Sequence, residues 1–208
     1  MAIENESSNE TKSKIYVLSI QILFGIIIGI SFIDYHKTLV PFNPNIETLM
    51  IFVTYATVLM SLIGYSIAVT HRFHKNFSRF AIDIFLLYLY YQLVYSLQTS
   101  FDYFLWIFPI IFGSYVVWQI LEYYEWKDDD KPYKKKEYKW VLIGTIIFTI
   151  AFFLLALFYN GTIVVEDRTD GVLHYLDESI IEWGILSILV ALVFGFRIFF
   201  YCVQKYKT

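Results

Sequence analysis

Apolar residues in this chain run in blocks of about 20, the length that crosses a bilayer as a helix, and polar residues collect between the blocks. Six segments qualify: 15–33, 49–70, 80–97, 104–121, 140–159 and 180–202. The third and fourth are separated by little more than Thr99, Ser100, Phe101 and Asp102, which predicts a tight antiparallel hairpin. A four-span alternative would make that hairpin dip into the membrane without crossing. Its two apolar arms, each about 18 residues, favour full crossing. The expected fold is therefore an all-α polytopic membrane protein, a bundle of six transmembrane helices, with residues 1–14 and 204–208 as polar ends.

The connections carry their own signals. The run Leu39-Val-Pro-Phe-Asn-Pro-Asn45 holds two prolines and predicts an extended turn between the first two spans. Between the fifth and sixth, two β-rich runs, Thr162 to Asp167 and Val172 to Leu176, flank Asp170-Gly171 and predict a short outer β-hairpin over about 162–176. The connection 126–139 mixes Asp128, Asp129 and Asp130 with Lys134, Lys135 and Lys136, and reads as a solvated charged turn.

Composition agrees with the pattern. With 58% hydrophobic and only 17% charged residues, the chain is too apolar for an ordinary soluble domain, and its solvent is lipid. A net charge of -3, placed in short blocks, gives no nucleic-acid footprint. The single cysteine, Cys202, excludes an intrachain disulfide and a cysteine-based metal cage. The polar, mostly acidic start, Met1 to Lys14, differs from a basic signal peptide, so the first apolar run reads as a retained span.

Lysine and arginine then orient the bundle, because short cytoplasmic loops accumulate them. Lys12, Lys14, Arg72, Lys75, Arg79, Lys127, Lys131, Lys134, Lys135, Lys136, Lys139, Lys205 and Lys207 fall on one side, against Lys37 and Arg168 on the other. Both termini are expected in the cytoplasm, and the membrane is expected to be the plasma membrane of a prokaryote. Tyr16, Tyr123, Tyr124, Trp126, Trp140 and Tyr201 mark the inner interface, and Tyr35, Tyr103, Trp106, Tyr159 and Trp183 the outer one.

Small residues let helix backbones approach in lipid. Gly25 and Gly29, the row Thr54, Thr57, Ser61, Gly64 and Ala68, then Gly144, Thr145 and Thr149, and finally Gly184, Ser187, Ala191 and Gly195 are expected to serve packing within the bundle. Pro109 removes one backbone bond from the fourth span and predicts a bend.

The candidate site lies in the spans. Asp83 follows Arg79 at i+4, so a local pair reaching toward the interface accounts for it simply. A charge at the bilayer centre costs about 2.5 to 3.5 kcal/mol on insertion scales, and an intramembrane acid marks a functional site by default. At about 1.5 Å of rise per residue, Asp83, Arg197, Gln21, Gln119 and Thr145 come to comparable depths in the inner leaflet. Asp83 is accordingly expected to pair with Arg197 and to pin the third span to the sixth. Tyr88, Gln92, Tyr95 and Thr99 continue one stripe above Asp83, either lining a solute path or bonding across a helix interface.

On the outer side Asp34, His36, Glu47, Asp102 and Glu182, with Glu166, Asp167, Asp170, His174, Asp177 and Glu178, suggest an acidic mouth that concentrates cations. His71 and His74 have no carboxylate beside them, so no metal site is expected. The segment Ser61-Leu-Ile-Gly-Tyr-Ser66 matches a potassium-filter pattern at its Gly-Tyr alone and lies in a continuous span, where no filter forms. Asn160-Gly-Thr is a glycosylation sequon beside the bilayer. No nucleophile and base, cofactor motif or metal set is visible, so no catalytic residue and no cofactor is assigned. The leading expectation is an ion channel or simple transporter for a small ion or solute. The alternative is a non-catalytic structural or assembly subunit, with the lipid bilayer, further copies of the chain or other membrane subunits as partners.

Overall fold

A computed structural model describes the backbone over residues 2–40, 44–71, 77–125, 132–166 and 178–205, and side chains over 15–40, 44–66, 77–124, 138–160 and 180–203. It holds six helices: α1 (Ala2–Leu39), α2 (Ile46–His71), α3 (Phe77–Ser96), α4 (Phe101–Glu125), α5 (Pro132–Glu166) and α6 (Glu178–Lys205). Each contains a stretch long and apolar enough to cross a membrane, from the 20 residues of Phe77–Ser96 to the 25 of Ile15–Leu39. In hydrocarbon every backbone polar group needs an internal partner, so a chain this apolar closes its hydrogen bonds within helices.

Local chemistry sets the helix ends. Asn45 caps α2, its Oδ1 accepting from the Thr48 amide at 2.7 Å. Pro132 opens α5, where its missing N–H costs nothing. Ser100 caps α4 through Tyr103, and the backbone turn at Leu97, Gln98 and Thr99 closes the α3–α4 hairpin. That hairpin joins two full-length spans, as the six-span reading expects. α4 runs unbroken through Pro109.

Two expected connections differ. α1 continues past the expected span end at Ile33, through Asp34, Tyr35 and His36 to Leu39, where the proline-bearing connection begins; residues 41–43 lie outside the described set. The outer β-hairpin is not supported. α5 carries on through Asn160-Gly161 and makes Thr162 to Glu166 helical, and no strand occurs among the described residues. Adding residues to an existing helix gains one bond per residue fixed, whereas an isolated two-stranded hairpin is marginal. Residues 167–177, the rest of that expected hairpin, lie outside the described set.

The packing closes a ring in the order α1, α2, α6, α5, α4, α3 and back to α1, with α2 also touching α3 across it. The core between the helices is aromatic. On α4 Phe104, Phe108 and Phe112 are buried, the last two against Phe152 of α5, with Phe112 and Phe152 ring centres 4.3 Å apart and Phe112 edge-on to Phe196 of α6 at 4.9 Å. α1 is the outermost helix, with Ile22, Ile26, Ile30, Phe32 and Ile33 exposed. Outward apolar residues on every helix leave the ring facing lipid, which is the surface of a helical membrane protein.

The small residues divide by role. Gly144 of α5 lies under the Phe199 ring of α6, so close that a Cβ there would overlap it, and Gly195 faces Phe148. Gly25, Gly29 and Gly184 meet nothing within 4 Å, so the α1 seam looks outward instead of packing inside the bundle.

Candidate functional site

Because the helices alternate in direction, α1, α3 and α5 begin, and α2, α4 and α6 end, at the face that carries both termini. Toward that face the aromatic core gives way to a cavity of about 70 Å³. Five helices line it: Ile20 and Phe24 from α1, Ser61, Gly64 and Tyr65 from α2, Asp83, Leu86 and Tyr90 from α3, Tyr115, Trp118 and Gln119 from α4, and Phe196, Arg197 and Phe200 from α6. Toward the opposite face, α4 presents Phe112, Phe108 and Phe104 and α3 presents Leu93, all buried, so the cavity is closed on that side.

Asp83 and Arg197 share this cavity. Each also has a neighbour of its own on another helix. Arg197 donates from Nη2 to Ser61 Oγ at 2.7 Å, with its guanidinium carbon 5.6 Å from the Phe196 ring centre. Asp83 accepts the indole N–H of Trp118 at 2.9 Å, and the Tyr65 hydroxyl lies in hydrogen-bonding reach of the same carboxylate. Arg79 is fully buried one turn below Asp83, and its guanidinium stacks 4.6 Å from the Trp118 ring centre. One indole thus serves both charges of α3.

A directional chain of hydroxyls crosses the cavity wall. Ser61 donates its one proton to the Thr57 carbonyl at 2.6 Å. Its oxygen then accepts from Arg197 and from Tyr115, the latter at 2.7 Å. With its proton committed to Ser61, the Tyr115 oxygen can only accept from Tyr90, to which it is hydrogen-bonded. The order is Tyr90 to Tyr115 to Ser61 to the Thr57 carbonyl. Gln119 completes the wall: its amide donates to Thr145 of α5 at 2.8 Å, while its buried Oε1 has no hydrogen-bond partner among the described residues.

The remaining candidates fall elsewhere. Gln21 donates to Ser66 at 3.2 Å, joining α1 to α2 beside the cavity and not within its wall. Tyr88 and Tyr95 are 55% and 49% exposed, so the stripe above Asp83 faces out of the bundle, where Gln92 accepts from Tyr103 at 2.9 Å. On the opposite face Asp34, His36 and Glu47 are exposed, and the His36 ring meets the Ile33 carbonyl at 2.7 Å. Tyr159 donates to Glu182 at 3.3 Å; Asn160, oriented to satisfy its neighbours, donates to Asp102 at 3.3 Å and accepts from Trp106 at 3.1 Å. Asp102 and Glu182 are therefore tied to the end of α5. Among the described residues no three His, Cys, Asp or Glu gather in a metal-binding arrangement.

Reading residues singly hid Trp118, Tyr115, Tyr90 and Ser61. An indole or phenol in a span reads as core or belt, and only its polar atom's partner reveals the site. The Ser61 to Ser66 segment held a usable signal, a polar and small run on a span, although its part is to line a cavity.

Fold and cavity together define a polytopic helical membrane protein with a cavity, lined in part by Asp83 and Arg197, in one half of its bundle. Comparisons with protein-family models, with curated proteins and with solved structures return no match.

Proposed function

We propose that the protein is a membrane carrier for a small polar solute, which occupies the pocket between Asp83 and Arg197. The observation that carries this reading is that both residues, on different helices, line one cavity inside the membrane-spanning bundle. Each charge costs about 2.5 to 3.5 kcal/mol to insert at the bilayer centre, so two of them at one cavity ask for a functional reason. The aromatic packing of Phe104, Phe108 and Phe112 favours a gated carrier over an open pore. The lysine and arginine distribution supports termini in the cytoplasm and a pocket opening to that side.

The test is uptake into proteoliposomes of radiolabelled urea, acetate, methylammonium and glycine. Saturable uptake of at least one, lost in Asp83→Asn, supports the carrier. Protein-free rates for all four, from protein that is monodisperse, overturn it.

A second reading, a subunit of a larger membrane assembly, is favoured by the outward Tyr88, Tyr91 and Tyr95 row on α3 and by the open Gly25 and Gly29 seam on α1. A second chain that co-purifies at fixed stoichiometry in mild detergent would favour it.

A further inference from the structure

We infer that the pocket takes an uncharged solute, a small molecule with an aliphatic body and one N–H or O–H group that Gln119 receives; the inference rests on the carrier reading above and names its substrate class. The first ground is how the wall already uses its polar groups. Asp83 meets the Trp118 indole at 2.9 Å and the Tyr65 hydroxyl, and Arg79 on the same indole places a positive charge one turn from that carboxylate. Arg197 donates to Ser61 and lies over the Phe196 ring, and Tyr90 and Tyr115 belong to the hydroxyl chain that runs to Ser61. These contacts tie helix to helix. The surface that the cavity offers a solute is almost wholly apolar, from residues such as Ile20, Phe24, Leu86 and Phe200. An ion loses its hydration against such a surface without recovering it, whereas an aliphatic body gains by leaving water.

The second ground is Gln119, a residue of the wall that is 4% exposed. Thr145 fixes which way its amide faces. The Thr145 hydroxyl gives its one proton to the Val141 carbonyl at 2.9 Å, so it can only accept at its contact with Gln119. Nε2 supplies that bond at 2.8 Å, which leaves Oε1 as the unused atom, without a hydrogen-bond partner among the described residues. A buried acceptor left unmet is costly. A neutral N–H or O–H in the cavity meets it without bringing a charge onto the apolar wall.

Size narrows the class. One water needs about 10 to 15 Å³ of such space, so 70 Å³ takes about five non-hydrogen atoms. A short-chain primary amide or alcohol has that size, an aliphatic body and the required donor.

The experiment compares propionamide, propionate and butan-2-one, which share size and skeleton and differ in charge and in the donor. Binding to the full-length protein in lipid nanodiscs at neutral pH is read by saturation-transfer NMR, with Leu86→Trp, which fills the cavity, as the blank. Propionamide is expected to bind at least about tenfold more tightly than propionate, and several-fold more tightly than butan-2-one. Gln119→Leu is expected to bind propionamide and butan-2-one alike, and Tyr95→Phe, on the outer surface, to bind as wild type. If Gln119→Leu or Leu86→Trp does not fold, the ranking of the three molecules on the wild-type protein decides alone. Propionate or butan-2-one binding as tightly as propionamide overturns the inference, and so does the absence of propionamide binding. Saturable uptake of acetate, methylammonium or glycine without propionamide binding removes the uncharged solute and keeps the carrier. Propionamide binding with protein-free rates of uptake for every solute, propionamide included, keeps the site and removes the carrier.

Discussion

The indole N–H of Trp118 donates to Oδ1 of Asp83 at 2.9 Å, and the face of the same ring carries the guanidinium of Arg79 at 4.6 Å. One side chain of α4 thereby supports two buried charges of α3 through two kinds of contact, edge and face. Trp118→Phe keeps a ring face for Arg79 and loses the hydrogen bond. It is expected to destabilise the protein by about 1 to 2 kcal/mol. Trp118→Leu loses both contacts and should cost more. Thermal unfolding in detergent measures the order, and equal losses for the two variants would show that the ring face contributes nothing.

The hydroxyl chain makes an asymmetric prediction. Tyr115 stands between Tyr90 and Ser61, so Tyr115→Phe strands the Tyr90 donor and empties one acceptor position on Ser61. Tyr90→Phe strands no donor, because Tyr115 continues to donate to Ser61. An unmet buried donor costs about 1 to 3 kcal/mol. Tyr115→Phe should therefore unfold at a clearly lower temperature than Tyr90→Phe, and the opposite order would reverse the assigned direction of the chain.

Packing of α5 on α6 depends on the absence of a side chain at Gly144, because the Phe199 ring occupies the space where a Cβ would sit. Gly144→Ala is expected to cost about 1 to 3 kcal/mol through overpacking. Adding Phe199→Leu should recover part of that loss. A Gly144→Ala protein as stable as wild type would mean that Phe199 has another place to go.

Cys202, the chain's single cysteine, is exposed near the end of α6 and serves as a native reporter of sidedness. With the termini in the cytoplasm, a membrane-impermeant maleimide should label it in inside-out vesicles and leave it unlabelled in intact cells. Labelling in intact cells would invert the orientation.

Six spans were legible in the sequence because the bilayer imposes length and apolarity on each segment independently, so no knowledge of packing was needed. Asp83, Arg197 and Gln119 were legible as a layer for a similar reason: helical rise converts residue number into depth. Rotation about each helix axis was not legible. Tyr88 and Tyr95 sit at the right spacing to extend a polar face from Asp83, yet they point out of the bundle. In lipid both faces of a span are apolar, and periodicity loses the contrast that identifies the inward face of a soluble helix. Thr162 to Glu166 failed differently: β-branched residues suggested a strand, and an already formed helix extended through them.

A carrier of the kind proposed holds a pocket reached by water from the terminal side in one half of the bundle, while the other half is dry. Leu86 lines that pocket, and Leu93, two turns further along α3, is buried in the apolar core. In a Cys202→Ser background, Leu86→Cys and Leu93→Cys can each be exposed to a small, charged, impermeant methanethiosulfonate from either side of sealed vesicles. Reaction of the Leu86→Cys variant from the terminal side alone, with the Leu93→Cys variant inert, is the predicted result. An inert Leu86→Cys variant, or reaction from the opposite side, would contradict it.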